Sequence, residues 1–139
     1  MGFAMAFFEW TDKYSVGVPS IDGQHKHLIE IINNLYDAMR AGHGEAALGK
    51  TLDDLVDYTR THFRFEESLM QTKGYPDLVA HKKVHESLTS QVMDLVNQHK
   101  AGKTTLSIQT GTFLKNWLAN HILNTDMKYS EHLVARGAR

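Results

Sequence analysis

The chain contains no cysteine, which excludes disulfides, thiolate metal sites and thiol nucleophiles. That absence fits a reducing compartment. It has only two prolines, Pro19 and Pro76, and both are read as lying at helix starts, so long helices elsewhere meet no breaker. No apolar run approaches the roughly 18 residues that a membrane span needs. Neither sign of charge dominates: a net charge of -1 offers no basic field for nucleic acid and no acidic tail. The opening MGFAMAFFEW is apolar, but it lacks a positive n-region and soon meets Glu9 and Asp12, so it is not read as a signal peptide. Gly2 hints at myristoylation, yet that signal wants Ser or Thr at the position held by Ala6. Met5 is a candidate natural start, with Met1 to Ala4 then a remnant of expression. The expected location is the cytoplasm.

What remains is the composition of a globular domain, 42% apolar and 22% charged, in a chain of 139 residues. That length suits one domain, 1–139, with room for a core. Leu28, Ile31, Ile32, Leu35 and Met39 have helical spacing and predict a first helix over 20–41, capped by Ser20 or Asp22. Ala41-Gly42-His43-Gly44 ends it. Leu48, Leu52, Leu55, Val56, Tyr58 and Thr59 predict a second helix over 45–72. Lys73-Gly74-Tyr75-Pro76 breaks the chain, and Pro76 suits the first turn of a third helix over 76–101. A fourth, over 105–135, carries Ile108, Phe113, Leu114, Trp117, Leu118 and Ile122. Four long helices with short connections predict an all-α, up-down-up-down antiparallel four-helix bundle. Residues 1–19, with Phe7, Phe8, Trp10 and Tyr14, are expected to form an extended arm across it.

The chain is rich in one residue type, with nine histidines. In such a bundle, the start of helix one, the end of helix two, the start of helix three and the end of helix four share one end. His25, His62 with Glu66, His81 with His85, and His121 with Asp126 all fall at that end. His81 and His85 are four apart and share a helix face, as do His62 and Glu66. Taken alone, His81 with His85 is better explained as a solvated pair, His62 with Glu66 is open to reading as a hydrogen-bonded surface pair, and His121 as a core histidine with one satisfied nitrogen. Convergence of all seven favours a metal site. His27, His43, His99 and His132 are read as loop, helix-end or solvent-facing residues. His121 and Asp126 are five apart, about 140° on a regular helix, so a break, kink or bulge is required near 124–126.

Five imidazoles and two carboxylates exceed the needs of one ion and suit two, bridged by the carboxylates. HKKVH (81 to 85) lacks the second-position glutamate of a zinc protease. No Glu-x-x-His occurs, which argues against the ferritin-like di-iron oxidases.

Trp10 together with IDGQHKHL (21 to 28), HFRFEE (62 to 67), YPDLVAHKKVH (75 to 85) and WLANHILNTD (117 to 126) resembles the hemerythrin family, specifically its bacterial single-domain members. The resemblance spans nearly the whole chain and fills all seven ligand positions. It implies two non-heme irons with an oxo or hydroxo bridge. His81, His85 and His121 would hold one iron and His25 and His62 the other, with Glu66 and Asp126 bridging. The histidine-poor iron would keep an open position for dioxygen. Leu28, Leu118 and Ile122, with Trp117 nearby, are expected to line the dioxygen pocket, although leucines at such spacing are core in any bundle. Glu67 is either a hydrogen-bond acceptor for a ligand histidine or a solvated carboxylate. The implied role is oxygen transport, storage or delivery, with no catalysis, no nucleic acid and no membrane insertion. Its partner would be dioxygen, with any oxygen-consuming enzyme or signalling protein unnamed. The alternative is an oxygen or redox sensor acting through a separate partner. An oxidase or peroxidase finds no general acid, base or second pocket in its favour.

Overall fold

The computed structural model describes residues 7–42, 45–102 and 108–139. The first residues of the arm (1–6), the loop residues His43 and Gly44, and the anticipated start of the fourth helix near 105 lie outside them. The described chain forms α1 (Pro19–Arg40), α2 (Glu45–Thr72), α3 (Leu78–Lys100), α4 (Ile108–His121), a π-helical turn (Ile122–Asp126) and α5 (Met127–Ala135). These make an antiparallel four-helix bundle, with α4, the π turn and α5 following without interruption as its fourth rod. α1 packs on α2 and α4, and α2 also packs on α3.

Two helix starts differ from the sequence reading. α1 begins at Pro19, whose fixed φ suits a first helical position, and its cap is Val18 rather than Ser20 or Asp22. The Asp22 carboxylate instead accepts from Ser15 Oγ and, at 2.9 Å, from Val16 N–H, so it fastens the preceding segment. Ser20 Oγ donates to the Arg139 carbonyl at 2.8 Å. α3 begins at Leu78 and not at Pro76. Gly74 takes φ +68°, a conformation that disfavours side chains, and Tyr75 N–H reaches back to the Met70 carbonyl at 2.9 Å. The turn closed this way occupies Pro76 and defers the helix by two residues.

The N-terminal segment crosses the bundle. Phe8 exchanges two hydrogen bonds with the Asn33 side chain, at 2.8 and 2.9 Å, and Lys115 Nζ donates to the Phe7 carbonyl at 2.8 Å. Phe7 stacks on Tyr36 with ring centroids 3.8 Å apart. This ties the segment to α1 and α4 together.

The apolar interior falls into two clusters, and their composition places the site. The larger includes Leu28, Ile32, Leu35, Leu55, Phe63, Val92, Leu118 and Ile122. The smaller is built on Val16, Val18, Ile21, Met70, Tyr75, Tyr129 and Leu133. On every rod a short stretch separates the two: Ile21 from Leu28, Phe63 from Met70, Leu78 from Leu88, and Ile122 from Tyr129. Five of the seven candidate ligands sit in those intervals, and His62 and His121 stand one residue before Phe63 and Ile122. Burying apolar side chains above and below is worth about 1.5–3 kcal/mol for each large residue, and that burial holds a polar layer out of water. Among the described residues, no helix is long and apolar enough to cross a membrane.

Candidate metal centre

α1 contributes His25, α2 His62 and Glu66, and α3 His81 and His85. His121 closes α4 and Asp126 closes the π turn. The π turn supplies what the five-residue interval requires. Its i→i+5 hydrogen bonding places residues five apart one above the other, so His121 Nε2 lies 2.9 Å from Asp126 Oδ1. Lys82 and Lys83 point into solvent.

All seven side chains are buried. Glu66 Oε2 lies 3.2 Å from His25 Nε2 and 3.0 Å from His62 Nε2, while its Oε1 lies 3.4 Å from His81 Nε2 and 3.1 Å from His85 Nε2. Asp126 repeats the pattern: Oδ2 is 3.1 Å from His25, and Oδ1 is 3.1 Å from His81. The seven thus form two overlapping groups whose ligand atoms lie within 4.8 Å of one another. One has His81, His85 and His121; the other has His25 and His62; Glu66 and Asp126 belong to both.

Most of these atoms have no hydrogen bond. Nε2 of His62, His81, His85 and His121, Glu66 Oε1 and both Asp126 oxygens are buried without one. Each such group costs about 1–3 kcal/mol when left unpaired, so a concentration of them in one layer needs a compensating charge. Two cations would supply it, and the nitrogen and oxygen donors suit first-row transition metals. In their absence protons compensate in part. Burial alone would lower the pKa of His25 and of His81, but the adjoining Asp126 and Glu66 carboxylates outweigh it and raise each to about 9. Burial pushes the Glu66 and Asp126 carboxyls up. The surrounding histidines more than reverse this, holding both Glu66 and Asp126 well below the ordinary carboxylate range.

A second ring of contacts fixes the histidines. His85 Nδ1 donates to Glu67 Oε2 at 2.7 Å, and His62 Nδ1 donates to Gln24 Oε1 at 2.6 Å. With Nδ1 carrying the proton, Nε2 presents a lone pair to the centre. Phe63 stacks on the His85 ring at 3.8 Å and 4°. Tyr129 donates to Glu66 Oε2 at 2.8 Å, and burial followed by the Glu66 charge pushes its phenol pKa well above 10. The sequence reading named Glu67 but missed Gln24 and Tyr129. Tyr129 lies three residues after Asp126, so its position on the same helix face was the available signal; Gln24 carried none.

Leu28, Leu118, Ile122 and Trp117 are buried in the larger apolar cluster, on one side of the polar layer. The remaining described histidines stand apart from the centre. His27 packs its ring 4.3 Å from that of Tyr58, His99 lies against Gly49, and His132 Nε2 donates to the Lys73 carbonyl at 2.8 Å.

Comparison with known proteins agrees with this geometry. The family model for the hemerythrin HHE cation binding domain matches residues 16–133. The chain is 42% identical over 125 residues to a bacteriohemerythrin of Pseudomonas aeruginosa, covering 90% of this chain and 80% of the relative. It is 38% identical to the bacteriohemerythrin of Methylococcus capsulatus over 132 residues, 94% of this chain and 100% of the relative. A solved wild-type hemerythrin superposes with a TM-score of 0.87 at 37% identity, covering 92% of this chain and 98% of that one. The chain belongs to the hemerythrin family.

Proposed function

We propose that the chain binds dioxygen reversibly at a non-heme di-iron centre, as a carrier, store or delivery protein rather than an enzyme. The observation that carries this reading is the inequality of the two donor groups. Three histidines and two carboxylates surround one position, whereas two histidines and the same two carboxylates surround the other. The second position is one protein ligand short, which leaves room for a small exogenous molecule beside a saturated neighbour. The bound iron pair supplies reversible electron exchange with dioxygen.

The protein's own residues do the rest. Glu66 and Asp126 hold the two positions at a fixed separation, because each places one oxygen toward either group. Tyr129 keeps the Glu66 carboxylate oriented. Leu28, Leu118, Ile122 and Trp117 form apolar walls that exclude water, which protects a bound ligand against protonation and loss.

The test is a visible spectrum of the protein loaded anaerobically with ferrous iron, recorded before and after air. A band that appears in air, vanishes under vacuum and returns on re-aeration fits a carrier. Irreversible conversion in one exposure overturns reversible binding and favours the sensor. Ile122→Thr, which brings a hydroxyl to the wall, is expected to shorten the life of the aerated spectrum about tenfold; an unchanged lifetime removes Ile122 from the pocket.

A further inference from the structure

The two donor groups differ in a second respect, outside the ligands themselves. On α2, Glu67 follows Glu66 and accepts the Nδ1–H of His85, a ligand of the three-histidine group, at 2.7 Å. On α1, Gln24 precedes His25 and accepts the Nδ1–H of His62, in the two-histidine group, at 2.6 Å. The contacts match in geometry and differ in charge: a carboxylate on one side, a carboxamide on the other.

An imidazole that donates to a carboxylate carries more electron density on its far nitrogen than one that donates to an amide. We propose that Gln24 and Glu67 are positioning residues that set the two metal positions apart in affinity. Glu67 makes His85 the stronger donor, so the three-histidine position loads first and releases last. Gln24 leaves His62 the weaker donor, so the two-histidine position, where the ligand shell is already one residue short, loads second. The neutral partner also limits the negative charge around that position and keeps its ion able to take an added ligand. The difference in charge therefore reinforces the difference in ligand number.

Ring orientation does not depend on the charge. Phe63 lies parallel to His85 at 3.8 Å, and a glutamine at position 67 still offers an acceptor oxygen. His62 is buried, and its ring stands edge-on to that of His25 at 4.7 Å. Isosteric exchange at either residue thus changes the charge behind one histidine and leaves its direction in place.

The inference rests on the reading that the seven residues hold two ions, and the experiment separates the two claims. Metal-free protein is titrated with cobalt(II) against a chelating dye at fixed pH, for the parent chain, Glu67→Gln and Gln24→Glu. The parent takes up two ions in resolved steps. Glu67→Gln weakens the tighter step by about 10-fold and leaves the weaker within twofold. Gln24→Glu strengthens the weaker step by a similar factor, so both variants narrow the gap from opposite directions. A merely structural contact would behave differently, since Gln24→Glu would then weaken binding or leave it alone. Fewer than two ions in the parent defeats the two-ion reading. Two ions with constants unmoved by Gln24→Glu overturn the inference, and that variant decides the matter even where Glu67→Gln fails to fold.

Discussion

Glu66→Ala is expected to leave a chain that retains less than one metal ion, with both affinities reduced more than 100-fold. Its two oxygens face different groups, Oε2 toward His25 and His62 and Oε1 toward His81 and His85. Alanine removes an anionic ligand from both positions at once and leaves four imidazoles facing a void. His62→Ala makes the contrast. His62 belongs only to the two-histidine group, so one ion is retained and the other is lost or held weakly. Metal analysis after desalting reads the difference directly. Equal losses in the two variants would contradict the assignment of Glu66 to both positions, and full loading of His62→Ala would remove that residue from the ligand set.

Stripping the metal is expected to lower the melting temperature by about 10 °C or more at neutral pH. Ions that bind only the folded chain stabilise it by mass action, and a chain of this size shifts by roughly 3–4 °C for each kcal/mol. Below pH 9 the pH dependence of the stripped chain follows from the shifted groups of the centre, His25, His81, Glu66 and Asp126. His25 and His81 have folded pKa values of about 9 against an ordinary 6.5. The stability they contribute is complete below 6.5 and is lost as pH rises through 9. Glu66 and Asp126 are depressed below 4.5 and 3.8, so their contribution is present above those values and lost as pH falls. The stripped chain is therefore most stable between about pH 4.5 and 6.5. Metal binding uses neutral imidazoles and displaces these protons, so the loaded chain escapes the alkaline loss. Its advantage in melting temperature widens from pH 6.5 to 9. A constant gap across that range, measured by differential scanning calorimetry, would contradict the account.

Much of the centre was legible because helical periodicity converts spacing into direction. His62 with Glu66 and His81 with His85 are four apart, and chain topology put both pairs at the same end as His25 and His121. The misfit of Asp126 was itself informative. A five-residue interval cannot face one point on a regular α-helix, and the π turn over Ile122–Asp126 absorbs the difference. Helix starts were less legible. Pro19 is itself the first residue of α1, whereas Pro76 lies two residues ahead of α3, displaced by the turn that Gly74 and the Tyr75 to Met70 hydrogen bond close. Gln24 could not be read at all. Its role depends on a neighbour 38 residues away on α2, and nothing in the local pattern of α1 distinguishes it from a solvated glutamine. Tyr129 sat on a legible face, but its hydroxyl required the position of Glu66, which only packing provides.

The most direct measurement is a crystal structure of the protein loaded anaerobically with ferrous iron, with anomalous scattering recorded at the iron edge. Two peaks are expected in each chain, both contacted by Glu66 and Asp126. His81, His85 and His121 complete one, and His25 and His62 alone complete the other. A single peak, a third histidine on the second iron, or iron held away from these seven residues would contradict the account.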